Sequence, residues 1–331
     1  MLFQGKNILV TGATGLIGYN LVCRLLKEGV STLYATGRSL KKLEATFEDY
    51  SGNGILKLIA HDAATALPAE IKDVDFIFHA AGPMERDIVL NRPVDVILPN
   101  IQGIINCLEL LKDQEKQTGR KGRLVAFSSV TVYDNPTQED YVATEDVTNY
   151  ASSIDAPTAC YSESKRMTEV IAKAYTKQFG VDVVLARFST VYGYTKNIPN
   201  TAFYEFIKKA SLGEDIILNG TGFPRRDNIY IDDAVDGLIT IALKGKVGES
   251  YNVSSNGKKN NYVAIDEIAS SIVRVVAELH EKEPVNVRMT QSAPRKPGLS
   301  LNNDKLVSLG WAINTDFCEG LKATIAKMSQ H

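Results

Sequence analysis

The chain has 331 residues, 44% hydrophobic and 23% charged, with a formal net charge of −2. That is enough apolar material for one large α/β domain with a smaller lobe, or for two domains. A charge this close to neutral gives no electrostatic ground for nucleic acid. No segment approaches the run of about 18 apolar residues needed to span a membrane, and a strand begins almost at once, so a cytoplasmic enzyme with no membrane partner is expected.

Residues 8–10 form a first apolar strand that runs directly into Gly12-x-x-Gly15-x-x-Gly18. Beyond the turn, Leu16, Ile17, Leu21, Val22, Leu25 and Leu26 recur at helical spacing until Glu28-Gly29 closes the helix. A turn between strand and helix gives the glycines physical roles in tight turning, backbone approach to a pyrophosphate, and close helix-to-strand packing. Glycines that merely mark a loop are the plainer alternative. The register of strand, turn and helix argues against it.

Further strand-like runs follow at 33–36, 56–59, 76–79, 124–127 and 183–187, separated by helical stretches at 40–50, 94–112 and 160–178. Continuous Val/Ile/Leu/Phe strands between amphipathic helices predict a parallel sheet covered on both faces, a doubly wound α/β fold. After Arg187 the rhythm breaks into a loop-rich region, then resumes with a helix at 232–244 and a strand at 249–253. A helix at 265–280, a strand at 285–289 and a helix at 317–328 close the chain. The expected division is a dinucleotide-binding domain of 1–187 plus about 231–254. The remainder, about 188–230 plus 255–331, would form a smaller, discontinuous substrate-binding lobe at the C-terminal edges of the strands.

The chemistry-bearing pair is Tyr161 and Lys165, four apart on the helix of 160–178, with Ser129 upstream at the end of a strand. That spacing puts both side chains on one helix face, where an ammonium favours deprotonation of a phenol that otherwise ionises near pH 10. The bland reading is an exposed pair with a snorkelled lysine, and for Ser129 a serine capping a turn. Cys23, Cys107, Cys160 and Cys318 lie far apart without a Cys-x-x-Cys, and the four histidines are scattered, so no metal is expected.

Taken together, Thr11-Gly12-Ala13-Thr14-Gly15-Leu16-Ile17-Gly18, Asp62, His79-Ala80-Ala81-Gly82, Asn100, Ser128-Ser129 and Tyr161-Ser162-Glu163-Ser164-Lys165 are similar to the motifs of a known family. The series continues through Arg187, Val191-Tyr192-Gly193, Arg226-Asp227, Tyr230-Ile231-Asp232-Asp233 and Leu309-Gly310-Trp311. It resembles the extended short-chain dehydrogenase/reductases, or NAD-dependent epimerase/dehydratase family, of the type that modifies nucleotide sugars on a Rossmann fold. The resemblance covers nearly the whole chain.

It implies that Tyr161 exchanges a proton with a sugar hydroxyl or ketone while a hydride passes to or from a nicotinamide. Lys165 would depress the tyrosine pKa and hold the nicotinamide ribose, and Ser129 would hydrogen-bond the same substrate oxygen. Cofactor contacts are implied for Gly12, Thr14, Gly15, Leu16, Ile17, Gly18, Arg38, Asp62, Ala63, Ala80, Ala81, Gly82 and Asn100, as well as for Tyr161 and Lys165. Ser129, Thr190, Arg226 and Arg295 would hold the substrate, the two arginines converging on a diphosphate. For the alanines simple packing is the alternative. A homodimer joined through helices 94–112 and 159–178 is also implied.

The departures bear on specificity. The family's carboxylate at the end of the second strand, which selects NAD, is replaced by Thr36-Gly37-Arg38-Ser39 with Lys41 and Lys42 following. An arginine fork suits a 2′-phosphate, so NADP is favoured slightly over NAD. Dehydratases and sugar-acid decarboxylases carry an acid just after the catalytic serine or threonine, and here Val130-Thr131 stands there. Thr190, Asp134 and Leu299 replace the family's asparagine, glycine and acidic residue. The expected activity is therefore a nucleotide-sugar 4-epimerase or 4-ketoreductase acting through a keto species. A 4,6-dehydratase or decarboxylase is the alternative, and a non-catalytic cofactor-binding protein a third.

Overall fold

The computed structural model describes residues 1–133, 141–147, 153–219, 225–290 and 298–330. Its first part alternates strand and helix: β1 (Asn7–Thr11), α1 (Leu16–Leu25), β2 (Thr32–Gly37), α2 (Leu40–Thr46), β3 (Leu56–Ala60), β4 (Phe76–His79), α3 (Arg86–Asn91), α4 (Val94–Thr118) and β5 (Arg123–Ser129). Then come β6 (Tyr141–Ala143), α5 (Ala159–Phe179), β7 (Asp182–Phe188), β8 (Thr190–Tyr192), α6 (Ala202–Leu212), β9 (Ile216–Leu218), β10 (Arg225–Tyr230), α7 (Ile231–Lys244) and β11 (Ser250–Val253). The last part holds β12 (Tyr262–Ala264), α8 (Ile265–His280), β13 (Val287–Met289), β14 (Leu299–Leu301), α9 (Asp304–Val307) and α10 (Phe317–Met328).

Seven strands form one sheet in the order β11-β7-β5-β4-β1-β2-β3, every pairing parallel. Successive residues of a strand face opposite sides. Ile8, Val10, Val125 and Phe127 therefore join one core with Leu21, Val22 and Leu25 of α1 and Leu238 and Ile241 of α7. Leu9, Ile77, Leu124 and Ala126 join the other, with Ile104, Leu108 and Leu111 of α4 and Ala172 of α5. Burial on both faces explains why the strands read as unbroken apolar runs. The doubly wound fold expected from the sequence is the one observed.

Two differences have physical reasons. The region after Arg187, read as loop-rich, contains β8, α6, β9 and β10. Three-residue strands carry too little alternation to register, and β10 opens Arg225-Arg226-Asp227-Asn228, polar residues that hide a strand. The second difference is α4: by length and composition it meets the criterion for a membrane-crossing helix, contrary to the reading from unbroken apolar runs, which Asp95, Pro99 and Asn100 interrupt. Here it packs on the sheet and on α5.

A second sheet runs β12-β10-β14-β6, with β8 also paired to β10, and β9 pairs with β13 in a third. β6, from before Arg187, thus pairs with β14 from near the C-terminus. Asp227 pins this arrangement, its buried carboxylate accepting from the amides of Ser255 and Leu301 at 3.0 and 3.1 Å and from Ser300 Oγ at 2.8 Å. The C-terminal ends of β1, β2, β4 and β5 all open on one edge, so the turn at Gly12, Arg38, Ala80–Gly82 and Ser129 share it.

Candidate active site

The glycine turn is built by steric necessity. Gly12 has φ +65°, and a Cβ there would lie 2.8 Å from the Ala81 nitrogen. A Cβ on Gly18 would lie 2.3 Å from the Gly12 carbonyl oxygen, so α1 can sit this close to β1 only without a side chain. Gly15 caps α1 with no side-chain acceptor, leaving the first-turn amides free for an anion. A Cβ on exposed Gly15 would meet nothing nearer than the Gly12 carbonyl at 3.4 Å, so its surface is open on the outer side. These residues fit the pyrophosphate of a dinucleotide, with Thr14, Leu16 and Ile17 around the same turn.

Other expected cofactor residues border the cleft. Arg38 is exposed immediately after β2, and exposed Lys41 and Lys42 follow on α2, where Ser39 Oγ accepts from the Lys42 amide at 3.2 Å. Asp62 is exposed and folds its carboxylate back onto the Ala64 amide at 3.0 Å, while Ala63 is buried with its carbonyl held by Asn106. Asn100 is buried on α4, its Nδ2 donating to Val96, and a Cβ on Gly82 would lie 2.6 Å from Asn100 Oδ1.

Beneath Ala80–Gly82 lies a relay the sequence did not reveal. The Ala81 amide donates to Thr11 Oγ1 at 3.2 Å, and Thr11 Oγ1 lies 2.9 Å from His79 Nδ1. His79 Nε2 is 3.2 Å from the Pro99 carbonyl, which can only accept, so Nε2 carries the proton and Nδ1 accepts from Thr11. Burial, with the nearby Lys165 charge adding to it, pushes His79 down to about 3. An unfolded histidine takes its proton near pH 6.5, so this group's contribution to stability is whole above that value and is lost as pH falls from about 6.5 towards 3. Urea unfolding should show a loss of about 1.4 kcal/mol per pH unit in that window from this residue. His79→Gln should flatten the slope.

The catalytic candidates come together where β5 meets α5. Ser129 ends β5, buried, and its Oγ accepts from the Thr131 amide at 3.2 Å. Tyr161 and Lys165 lie on the α5 face that looks at this strand end, with Lys165 Nζ 5.9 Å from the Tyr161 ring centroid. Lys165 is buried and donates to the Phe127 carbonyl at 2.9 Å, and burial brings its ammonium down to about 8. Burial raises the Tyr161 phenol, and a hydrogen bond with Ser129 pulls the other way. In this arrangement Ser129, rather than the expected Lys165, lowers the tyrosine. The lysine is turned to the β5 backbone.

Behind the triad lies a buried ionic network that spacing could have exposed. Glu169 follows Lys165 by four residues and Tyr161 by eight, on the same helix face. It binds Arg187 with both oxygens, at 2.8 and 2.7 Å, and accepts from Ser128 Oγ at 2.5 Å. Arg187 also donates to Tyr133 Oη and to the Glu145 carbonyl, each at 2.9 Å, and Tyr133 reaches Asn252 at 2.5 Å.

Of the substrate candidates, Thr190 and Arg226 lie exposed on the paired strands β8 and β10, with Asn228 opposite Thr190. Arg295 and Asp134 lie outside the described residues. Val130–Val132 form a single 3-10 turn after Ser129, which places no carboxylate there. No cluster of three or more metal-ligating side chains occurs among the described residues.

With this geometry in place, the relatives are informative. UDP-glucuronic acid decarboxylase 1 of Danio rerio is 29% identical over 331 residues, covering 98% of this chain and 73% of the relative. A dTDP-glucose 4,6-dehydratase from Streptomyces venezuelae, solved with NAD bound, superimposes with a TM-score of 0.80 at 22% identity, covering 98% of this chain and 97% of the other. UDP-glucose 4-epimerase from Thermotoga maritima gives 0.77 at 20% identity, covering 98% and 99%. These likenesses establish the fold. The family model, described as the NAD dependent epimerase/dehydratase family, matches residues 8–254. The resemblance drawn from the motifs is therefore borne out, and the chain belongs to that family of nucleotide-dependent enzymes.

Proposed function

We propose that the protein interconverts an alcohol and a ketone on the sugar of a nucleoside-diphosphate sugar, as a 4-epimerase or 4-ketoreductase. The observation that carries this reading is the convergence of Ser129, Tyr161 and Lys165 at the strand edge that also holds the glycine turn. A bound nicotinamide supplies the acceptor or donor of the hydride. Tyr161 holds the proton that moves to or from the sugar oxygen. Ser129 orients that oxygen and the phenol together, and Lys165 sets a positive charge beside them. Relatives named for UDP- and dTDP-sugars support a nucleoside diphosphate as the handle, and Arg226 and Arg295 are proposed as its cationic contacts from the motif resemblance alone.

The dehydratase and decarboxylase alternative has the sequence relatives on its side. Against it stands the turn after Ser129, which lacks the acid that elimination needs. A second copy of the chain is the proposed partner for α4 and α5, which leave Val94, Ile97, Leu98, Met167 and Val170 exposed.

The cofactor is NAD or NADP, with a slight preference for NADP proposed because exposed Arg38, Lys41 and Lys42 follow the end of β2 where a carboxylate would select NAD. The protein should bind NADPH more tightly than NADH, and Arg38→Ala should erase about 10-fold of the difference, the loss of roughly 1.4 kcal/mol of charge-assisted bonding. The companion test is turnover of UDP- and dTDP-hexoses, read as a 4-epimer or as oxidation of added NADPH. Absence of either product from every sugar nucleotide would refute the reading. NAD held tightly through purification would count against the reductase.

A further inference from the structure

Two buried polar atoms in the segments that follow the neighbouring strands β4 and β5 have no hydrogen-bond partner among the described residues. They are Glu85 Oε2, beyond the end of β4, and Thr131 Oγ1, two residues beyond Ser129 and β5. An unpaired buried carboxylate oxygen is costly, by more than the 1–3 kcal/mol of a neutral group, and each such atom calls for an explanation. The place supplies one. Glu85 follows Gly82, which lies against Asn100, and directly precedes α3. Its own carbonyl accepts the Val89 amide, and the Val89 carbonyl in turn meets the Cys160 thiol, the residue before Tyr161. One helical turn, about 5.4 Å, separates Glu85 from that contact. The backbone of Glu85 thus lies on the β4 side of the same edge on which Ser129 and Tyr161 stand.

We infer that Glu85 determines which sugar the site accepts: it takes a hydrogen bond from a sugar hydroxyl, Thr131 serves the same sugar from the β5 side, and a sugar bearing its own carboxylate is rejected. This rests on the nucleotide-sugar reading above. A hydroxyl donates to carboxylate and satisfies the unpaired oxygen, a charge-assisted bond stronger than one between neutral groups. A uronic acid would set a second carboxylate near it, and like charges juxtaposed cost several kcal/mol. Specificity of this kind comes from repulsion as much as from attraction.

The test compares wild type, Glu85→Gln and Glu85→Ala, each first assayed for thermal denaturation and for affinity towards UDP and dTDP. Steady-state turnover then uses UDP-glucose, UDP-galactose, their dTDP forms and UDP-glucuronic acid. Wild type should prefer the neutral hexoses by about 100-fold or more in kcat/KM, the equivalent of about 2.7 kcal/mol. Glu85→Gln should narrow that preference at least about 10-fold, and Glu85→Ala should lower kcat/KM for the neutral sugars by a similar factor. Neither variant should lose melting temperature or nucleoside-diphosphate affinity, since the substitution removes an unpaired charge. Variants that match wild type on every sugar overturn the role of Glu85 alone, as does a fall in melting temperature with unchanged sugar preference. Equal turnover of UDP-glucuronic acid by wild type overturns it too. If wild type turns over none of these sugars, the functional reading itself fails and takes this one with it.

Discussion

Replacing Tyr161 by phenylalanine is expected to lower kcat by about 10²–10⁴-fold, the span a positioned acid–base group contributes, with the melting temperature and cofactor affinity nearly unchanged. The phenol oxygen is the one group this residue brings to the reacting centre, and its ring packs as well without it. Its protonation state follows from the surroundings. Burial holds the phenol above its ordinary range, Ser129 opposes that, and Lys165 loses its proton at about 8. Tyr161 is therefore a phenol through the neutral range and is poised to give its proton to a ketone oxygen, the reductive direction. That direction should be fastest below pH 8, where Lys165 keeps its charge, and should decline above it. Ser129→Ala should weaken the rate by a smaller factor in both directions, because it removes the hydrogen bond that lowers the tyrosine. Undiminished turnover by the Tyr161→Phe variant would show that another group carries the proton.

The sequence disclosed this site unevenly, for reasons that lie in the physics of each element. Buried parallel strands such as 124–127 and 183–187 declare themselves because both faces are apolar. The glycine turn declares itself because a Cβ at Gly12 or Gly18 would strike backbone, so that no other residue can stand there. β8 and β10 stayed hidden because the first is three residues long and the second is polar at its start. The Thr11–His79–Pro99 relay was beyond reach, since it joins β1, β4 and α4 through contacts with no sequence periodicity. Glu169 was within reach: its spacing from Lys165 is the same four-residue step that picked out the pair, and it lies two such steps from Tyr161. Glu85 carried no signal in sequence, because only the folded chain shows that one of its oxygens is buried and alone.

Removing Glu169 is expected to be the most damaging single change away from the reacting atoms. Glu169→Ala should lower unfolding stability by about 3–5 kcal/mol in urea titration, as breaking a buried ion pair does. The Arg187 and Glu169 side chains are 1% and 9% exposed, so solvent cannot replace the lost partner. Burial opposes both charged forms, but the two-pronged pairing outweighs it, holding the Glu169 carboxyl below its usual range and the Arg187 guanidinium above its own. A carboxyl lowered in the folded state contributes stability that is present above its unfolded pKa, near 4.3, and is lost as pH falls through the folded value. The variant should therefore lose the corresponding part of the acid limb as well as overall stability. A double replacement, Arg187→Met with Glu169→Leu, leaves no stranded charge and should recover much of the loss. Its activity is the informative readout. Arg187 also holds Tyr133 and the Glu145 carbonyl, and Glu169 holds Ser128 beside Ser129. If the network positions the serine as well as stabilising the fold, the double variant regains stability while kcat stays depressed. Recovery of both would reduce the network to packing alone.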